Sequence, residues 1–327
     1  MKVLVTGATS LLGKTVADML RARGDSVRIF QRKQGPAGYE QHLGDIIDPA
    51  AVTAAVSGVE AVVHIAARVG VTGSWPLFKE TNIDGTENLL AASRAEGVRR
   101  FVHVSSPSVA HHGDALVGVG AGPADPARAR GHYARSKAHA ELLALRASNA
   151  AFPVLVLRPH LIWGPGDTQL VGRIVARARE GRLATVGTGA ALIDTTYVTN
   201  AADAVVAGLD KTPDLAGGVF VITNGQPRPV GEMIARIVTA AGLEPPSLRV
   251  PYRVARVGGL AAEKTWDRID RDDDPPMTSF LAEQLSTAHW FDQRETRKAL
   301  QWQPAVKLDE GFTRLKEWYA LQGDVAD

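Results

Sequence analysis

The feature that most constrains this chain is a repeated alternation of strand and helix patterns in its first half. KVLVTG is typical of a buried strand, TSLLGKTVADMLRARG of a helix with apolar residues at Leu12, Val16 and Leu20, and SVRIFQR of the next strand. The alternation continues through EAVVHIAA, RRFVHVSS and FPVLVLRP. Such repeats predict an α/β fold with a doubly wound parallel sheet, whose ligands bind beyond the carboxyl ends of the strands.

A glycine turn follows the first strand. Gly7 and Gly13 frame the spacing TGxxxxxG, so backbone amides at the start of the helix can face a pyrophosphate without intervening side chains. Ser10 replaces the middle glycine of the usual fingerprint, which leaves two roles open for it: a tolerated small side chain or a hydrogen bond to a phosphate. The turn predicts a Rossmann dinucleotide-binding domain.

A second motif, GHYARSK, places Tyr133 four residues before Lys137 in a segment that continues as a helix. Four residues are about one helical turn, so both side chains share a face. A nearby ammonium favours the phenolate and lowers the pKa of a tyrosine from about 10, which allows proton transfer near neutral pH. The alternative is a surface Tyr and Lys that merely fall at this spacing.

Composition excludes several classes of function. The 37 Lys and Arg nearly balance the 35 Asp and Glu, so we expect no nucleic-acid or anionic-membrane partner. The absence of cysteine excludes disulfides and thiolate metal sites, and no metal is predicted. Met1 leads directly into a strand pattern, so a cytoplasmic location is expected. The most apolar long stretch, VPYRVARVGGLAAEKTW, carries Arg253, Arg256 and Glu263, so we expect no transmembrane segment.

Seven segments carry a resemblance to a known family. TGATSLLG, GDIID, HIAA, TNIDGT, SSPSV, YARSK and RPHLIWGPGD, in this order, resemble the extended short-chain dehydrogenase/reductase superfamily over nearly the whole chain. SSPSV, RPHLIWGPGD and PPMTSFLAEQLSTAHWFD are similar to the branch of 3β-hydroxysteroid dehydrogenases, sterol-4-carboxylate 3-dehydrogenases and bacterial 2-alkyl-3-oxoalkanoate reductases, with the reductases of long-chain olefin biosynthesis nearest in sequence. The resemblance implies an NAD(P)-dependent oxidoreductase acting on CH–OH groups.

The resemblance implies four catalytic residues. Tyr133 would be the general acid/base, and Lys137 would lower its pKa and bind the nicotinamide ribose. Ser106 would polarise the substrate carbonyl, although the other two serines of SSPSV are alternatives. Asn82 would order the site through backbone and water contacts, or could instead be a helix N-cap.

The resemblance also implies a set of cofactor contacts. The glycine turn would line the pyrophosphate, and the HIAA segment would run under the cofactor. Asp45 resembles the aspartate that receives the adenine amino group, but could merely bound a turn. His160, a lone histidine, is assigned a structural role. The predicted cofactor-binding residues are Gly7, Ser10, Leu11, Leu12, Gly13, Arg32, Asp45, Ile46, Ala66, Ala67, Tyr133, Lys137 and Pro159.

Cofactor choice depends on the end of the second strand, which reads Phe30, Gln31, Arg32, Lys33. An acidic residue there would accept hydrogen bonds from a ribose 2′-OH and repel a 2′-phosphate. With no carboxylate and two cations, the sequence favours NADP(H), with NAD(H) as the alternative, and Arg32 as the phosphate partner. Both cations could instead project into water.

From about residue 160 the regular alternation of strand and helix patterns breaks down. LVGRIVARAREGRL, GEMIARIVTAAG and YRVARVGGLAAEKTWDRI are typical of helices, while DTTYVTNAADAVVAGL and GVFVITNG return to the sheet pattern. We expect a cofactor domain over 1–159 with returning segments near 192–224, and a smaller substrate-binding lobe over 160–191 and 225–320. Lys307 to Glu310 are expected to precede a final amphipathic helix.

A pocket between the two lobes would receive the substrate. The apolar residues and few charges of 249–290 favour a lipid-like ketone over a nucleotide sugar. Five aromatic residues are candidates for its lining or, alternatively, for the core: Trp75, Trp163, Trp266, Phe280 and Trp290.

The leading hypothesis is an NAD(P)H-dependent oxidoreductase that interconverts 3-oxo and 3-hydroxy groups on a small lipid-like substrate, of the 2-alkyl-3-oxoalkanoate or 3β-hydroxysterol type. One alternative is a sugar-nucleotide epimerase or dehydratase with tightly bound NAD. Another is a non-catalytic NADP(H)-sensing protein. Homodimers through paired helices are common in the resembling family, so a homodimer stays open.

Overall fold

The computed structural model describes residues 1–70, 73–269 and 277–323. The strands are β1 (Lys2–Thr6), β2 (Ser26–Gln31), β3 (Glu40–Leu43), β4 (Ala61–His64), β5 (Arg100–Val104), β6 (Leu116–Val119), β7 (Val154–Pro159), β8 (Ile162–Trp163), β9 (Thr185–Val186), β10 (Leu192–Ile193), β11 (Thr196–Tyr197), β12 (Val219–Ile222), β13 (Arg228–Pro229), β14 (Arg249–Val250) and β15 (His289–Phe291).

The α-helices are α1 (Leu11–Ala22), α2 (Pro49–Val56), α3 (Trp75–Phe78), α4 (Gly85–Ala95), α5 (Gly131–Ala147), α6 (Val171–Arg179), α7 (Val198–Lys211), α8 (Val230–Ala240), α9 (Tyr252–Ile269), α10 (Ser279–Gln284), α11 (Arg294–Leu300) and α12 (Leu308–Gly323). A π-helix spans Lys79–Asp84, and a 3₁₀-helix spans Pro107–Ala110.

The centre of the molecule is a seven-stranded sheet in the order β3-β2-β1-β4-β5-β7-β12, in which every neighbouring pair is parallel. One hydrophobic cluster joins β1 to α1 and α7 on one face. A second cluster on the other face joins the sheet to α2, α4 and α5. The predicted doubly wound α/β fold is therefore confirmed, and the carboxyl ends of all seven strands lie along one edge.

The first helix shows why the sequence folds in this way. Ser10 is extended and caps α1, since its hydroxyl accepts a hydrogen bond from the Gly13 amide at 3.1 Å. Val16 and Leu20 are fully buried on the face that packs against β1 and β2. Full burial of such a side chain stabilises the fold by about 1.5–3 kcal/mol.

The smaller lobe is built around a second, four-stranded sheet in the order β13-β10-β15-β6. β6 comes from the first half of the chain, between β5 and α5, yet it pairs in parallel with β15. A third hydrophobic cluster joins α6, α8 and α12 to the buried Trp163, whose ring centroid lies 4.6 Å from that of Phe312. The second sheet therefore combines strands from both halves of the chain.

Several local expectations differ from the structure. The apolar spacing of FKETNIDGTENLLAASRAEG predicts one long helix, but the structure divides this segment into the π-helix and α4. DTTYVTNAADAVVAGL forms the two-residue β11 followed by the 14-residue α7, because its apolar residues repeat at helical spacing. α12 begins at Leu308, so Lys307 precedes the helix as expected, whereas Leu308, Asp309 and Glu310 form its first turn. Pro275 and Pro276, which open the segment PPMTSF, lie outside the described residues, as does 270–276 of the stretch 249–290.

In the described part of the chain, no helix combines the length and apolar character needed to cross a bilayer.

Candidate active site

Tyr133 lies in the first turn of α5, where its half-buried phenol forms a hydrogen bond with the hydroxyl of Ser106. Burial raises the pKa of Tyr133, and the bond to Ser106 partly offsets this rise. The Ser106 hydroxyl also lies 2.9 Å from the Ser108 hydroxyl, whereas the buried hydroxyl of Ser105 has no partner within the described part of the chain. Of the three serines, Ser106 is therefore the one paired with Tyr133.

Lys137 lies one turn after Tyr133 and is buried beneath the site. Its Nζ donates to the carbonyl oxygen of Val104, the last residue of β5, at 2.7 Å. Burial lowers the pKa of Lys137 to about 8, and the carboxylate of Glu141 acts in the opposite direction. The sequence argument expects Lys137 to lower the pKa of Tyr133, but burial dominates and the net shift is upward.

Asn82 lies in the π-helix, and its side chain joins two parts of the site. Its Oδ1 accepts from the Arg68 amide at 2.7 Å, and its Nδ2 donates to the Arg68 carbonyl at 3.0 Å. The same Nδ2 donates to the hydroxyl of Ser136 on α5 at 2.9 Å. Asn82 therefore fixes the segment after β4 against α5, and its side chain does not cap a helix. π-Helical turns occur frequently at functional sites.

The glycine turn fits a dinucleotide pyrophosphate by close backbone packing. Gly7 has a φ of +74°, and a Cβ there would lie 2.9 Å from the Ala66 amide nitrogen. A Cβ at Gly13 would lie 2.2 Å from the Gly7 carbonyl oxygen. Ser10 donates to that same carbonyl at 2.8 Å and caps α1. The structure thus shows Ser10 as the cap of α1, a role that the sequence argument did not consider, and its contact with a phosphate stays a prediction.

The side chains of the two leucines of this turn pack against hydrophobic clusters. Leu12 is buried in the cluster under α1, and Leu11 packs against the third cluster, in the smaller lobe. Each could offer a phosphate only its backbone amide at the positive end of the helix dipole.

The remaining predicted cofactor residues lie along the carboxyl edge of the sheet. Asp45 follows β3 and accepts weakly from the Ile47 amide at 3.3 Å, while Ile46 is buried in the second cluster. Ala66 and Ala67 follow β4 and are half-buried, and Pro159 ends β7. These residues lie on the strand-end edge that also holds the glycine turn.

The last residue of β2, Gln31, has a side-chain amide without a hydrogen-bond partner among the described residues. Gln31 is 8% exposed, yet neither Oε1 nor Nε2 has a hydrogen-bond partner among the residues that the structure describes. A buried amide without hydrogen bonds is costly, which points to a ligand at this position. Arg32 and Lys33 follow with exposed side chains. The position predicted to discriminate between cofactors therefore combines an unpaired amide with two exposed cations.

The family model for the NAD dependent epimerase/dehydratase family matches residues 3–223, which is more than half of the chain. The chain belongs to this family. It is an NAD(P)-dependent oxidoreductase of the extended short-chain type, as the reductases that it resembles indicate.

Two relatives match this oxidoreductase almost from end to end. A 2-alkyl-3-oxoalkanoate reductase of Stenotrophomonas maltophilia is 40% identical over 97% of this chain and 98% of its own length. A protein of the same name from Shewanella oneidensis is 36% identical over 95% of this chain and 84% of its own length. The resemblance stated from the sequence motifs is therefore confirmed.

A solved structure supports the fold of the oxidoreductase. MoeE5 in complex with UDP-glucose and NAD superimposes with a TM-score of 0.75, at 25% identity, over 98% of this chain and 99% of that protein.

His160 and the aromatic candidates lie mostly in packed surroundings in the oxidoreductase. Nδ1 of His160 lies 2.5 Å from the Asp194 carbonyl oxygen, and its ring contacts His289 edge-on. Trp163 is fully buried in the third cluster, whereas the half-buried Trp75 is stacked by Arg135. Phe280, Trp266 and Trp290 are half-buried in the smaller lobe.

Sequence reasoning missed a buried hydrogen-bonding chain beneath the site. Thr6, His64 and Thr86 form this chain, and Asn82, which accepts from Thr86, joins it to Ser136. The signals were present, because His64 belongs to HIAA, Thr86 to TNIDGT and Ser136 to YARSK. These motifs are far apart in the sequence, and only the long-range contacts of the fold bring their side chains together.

Proposed function

We propose that this oxidoreductase reduces the 3-oxo group of a lipid-like acid of the 2-alkyl-3-oxoalkanoate type, or oxidises the corresponding 3-hydroxy group. The hydrogen-bonded Ser106–Tyr133 pair above the buried Lys137 carries the proposal, in a chain 40% identical to a reductase of that name.

The residues divide the chemistry among them. Ser106 would donate a hydrogen bond to the substrate carbonyl oxygen and stabilise the negative charge that develops there. Tyr133 would deliver its phenolic proton to the same oxygen, and take it back in the reverse direction. Lys137 would favour the phenolate and bind the nicotinamide ribose. Asn82 would hold α5 in place through Ser136.

The glycine turn, the strand ends and the unpaired Gln31 fit a nicotinamide dinucleotide. When bound, this group supplies or accepts the hydride that the carbonyl carbon exchanges. We propose NADP(H) over NAD(H), because the chain has no carboxylate at the end of β2 and has an exposed Arg32 beside it.

The smaller lobe offers a cavity for the substrate. A cavity of about 330 Å³ lies between the β9–β10 connection and the helices α9 and α10, and Val186, Tyr252 and Leu285 contribute to its lining. Glu283 of the same lining forms an ion pair with Arg130, the residue that precedes α5. This ion pair joins one residue of the cavity lining to the start of α5.

Cofactor oxidation at 340 nm tests the proposal. The purified chain is given NADPH or NADH with a 2-alkyl-3-oxo acid, a 3-oxosterol or a UDP-sugar, and Tyr133→Phe is the matched control. We expect turnover with the 2-alkyl-3-oxo acid and a preference for NADPH. Turnover of the 3-oxosterol alone would contradict the 3-oxo acid as substrate and favour a sterol dehydrogenase of the same branch.

A sugar-nucleotide epimerase or dehydratase is the second candidate, favoured by the backbone similarity to MoeE5. It would retain NAD through purification and act on a UDP-sugar without added cofactor. The homodimer and the cytoplasmic location stay predictions, and light scattering during size-exclusion chromatography measures the first.

A further inference from the structure

A buried row of side chains links the strand that leads into the glycine turn to the π-helix that carries Asn82. The Thr6 hydroxyl, at the end of β1, lies 2.9 Å from Nδ1 of His64. Nε2 of His64 lies 2.9 Å from the Thr86 hydroxyl on α4. The Thr86 hydroxyl donates to the carbonyl oxygen of Asn82 at 2.7 Å. Thr6, His64 and Thr86 are each 0 or 1% exposed.

The partners fix the direction of every proton in this row. A carbonyl oxygen only accepts, so the single hydroxyl proton of Thr86 is used on Asn82, and Thr86 must accept from His64. Nε2 of His64 therefore carries the proton. The Thr6 hydroxyl accepts from the amides of Ile65 at 3.1 Å and Ala66 at 3.0 Å, so its proton remains for Nδ1 of His64.

The surroundings of His64 also favour the neutral imidazole. Burial lowers the pKa of His64 to about 3, and the ammonium of Lys137 acts in the same direction. His103, at the paired position on β5, is buried as well, and its ring lies 5.3 Å from that of His64. A second proton on Nδ1 would face a Thr6 oxygen that already accepts two amides.

We propose that His64, held as the neutral tautomer with its proton on Nε2, is a positioning residue that keeps the glycine turn and Asn82 in register. On one side it orients Thr6, whose hydroxyl holds the backbone of Ile65 and Ala66 against the turn. On the other side it orients Thr86 and, through the Asn82 carbonyl, the π-helix. Asn82 in turn fixes the position of α5 through its hydrogen bond to Ser136. His64 touches neither substrate nor cofactor, and its effect depends on the active-site roles proposed above.

Two matched pairs of variants separate the two ends. Thr86→Val keeps the shape but removes the hydroxyl, so Asn82 loses its anchor. We expect kcat to fall about 10-fold or more, because small misplacements of a site cost up to about 10²-fold, with cofactor affinity changed less than about threefold, equivalent to less than about 0.7 kcal/mol. Thr86→Ser restores the hydroxyl and should restore kcat. Thr6→Val should instead weaken cofactor binding, and Thr6→Ser should restore it.

The tautomer is measured without any substrate. Nitrogen-15 NMR of imidazole-labelled protein, with His64→Gln to assign the signal, should show a proton on Nε2 and no titration between about pH 6 and 9. A proton on Nδ1, or a titrating imidazole, would overturn the proposal. Normal kcat in a folded Thr86→Val would overturn it too, with folding checked by circular dichroism. If the wild type reduces no 3-oxo substrate, the proposed function fails, while the tautomer and NADPH binding followed by fluorescence still decide this inference.

Discussion

Glu141→Gln should destabilise the protein far more than an ordinary loss of one charge. The carboxylate of Glu141 accepts hydrogen bonds from Nε of Arg158 at 2.9 Å and from its Nη2 at 2.5 Å, and both side chains are 1% exposed or less. The remaining Nη1 donates to the carbonyl oxygens of Ala121 and Gly122. The amide of Gln would still accept one hydrogen bond, but it would leave the guanidinium buried without its counter-charge.

The magnitude follows from that geometry. Removing one partner of a buried ion pair costs about 3–5 kcal/mol, since the other charge stays uncompensated. At roughly 2 °C per kcal/mol for a chain of this size, the melting temperature should fall by about 6–10 °C. Adding Arg158→Met should recover part of the loss, because the double variant buries no unpaired charge.

Differential scanning calorimetry of the single and double variants provides the measurement. Glu310→Gln is the matched control, because it makes the same carboxylate-to-amide change in an exposed pair with Arg314 and should leave the melting temperature nearly unchanged. The reasoning is refuted if Glu141→Gln melts within about 2 °C of the wild type, or if the double variant is less stable than the single one.

Three further outcomes are expected. Tyr133→Phe should fold and bind cofactor but lose about 99% of its turnover or more, as stopped-flow absorbance would show, and more than a tenth remaining would contradict its acid/base role. Arg32→Ala should raise the Michaelis constant for NADPH by roughly 10- to 150-fold and spare NADH, and Gln31→Asp should further favour NADH; faster wild-type turnover with NADH at equal low concentration would contradict both. Thermal stability should fall as pH drops from about 6.5 towards 3, because His64, with its pKa lowered to about 3, stays neutral when folded and gains a proton on unfolding. Asp194, with its pKa raised to about 6, stabilises the folded state in the opposite direction between about pH 6 and 3.8. A melting temperature that rises on acidification would show that the effect of the Asp194 carboxyl is the larger one.

The parallel sheet was predictable because each strand and helix of the first half carries its own local pattern. The hydrophobic faces of β1 and α1 can be recognised from their own residues, and these two faces pack against each other in the structure. The second sheet was not predictable, because β6 pairs with β15 and the residues of Leu116–Val119 do not by themselves indicate a partner strand so far along the chain.

The site shows the same division. Tyr133 and Lys137 share one helix, so their spacing alone places them together. The bond from Lys137 to Val104, the unpaired burial of Gln31 and the role of Ser10 as a cap depend on distances between elements. Spacing predicts which residues share a face, but it does not predict which hydrogen bond a buried ammonium or amide will find.

The pairing of β6 with β15 imposes a delay during synthesis. About 170 residues separate Val119 from its partner Phe291, and at about 5–20 residues per second a ribosome needs roughly 9–35 s to supply them. Until then β6, which precedes α5 by only a short segment, lacks its neighbour β15 in the sheet. The nascent chain therefore completes most of its central sheet well before its second lobe, and a chaperone that binds unpaired strand edges would have its longest opportunity at Leu116–Val119.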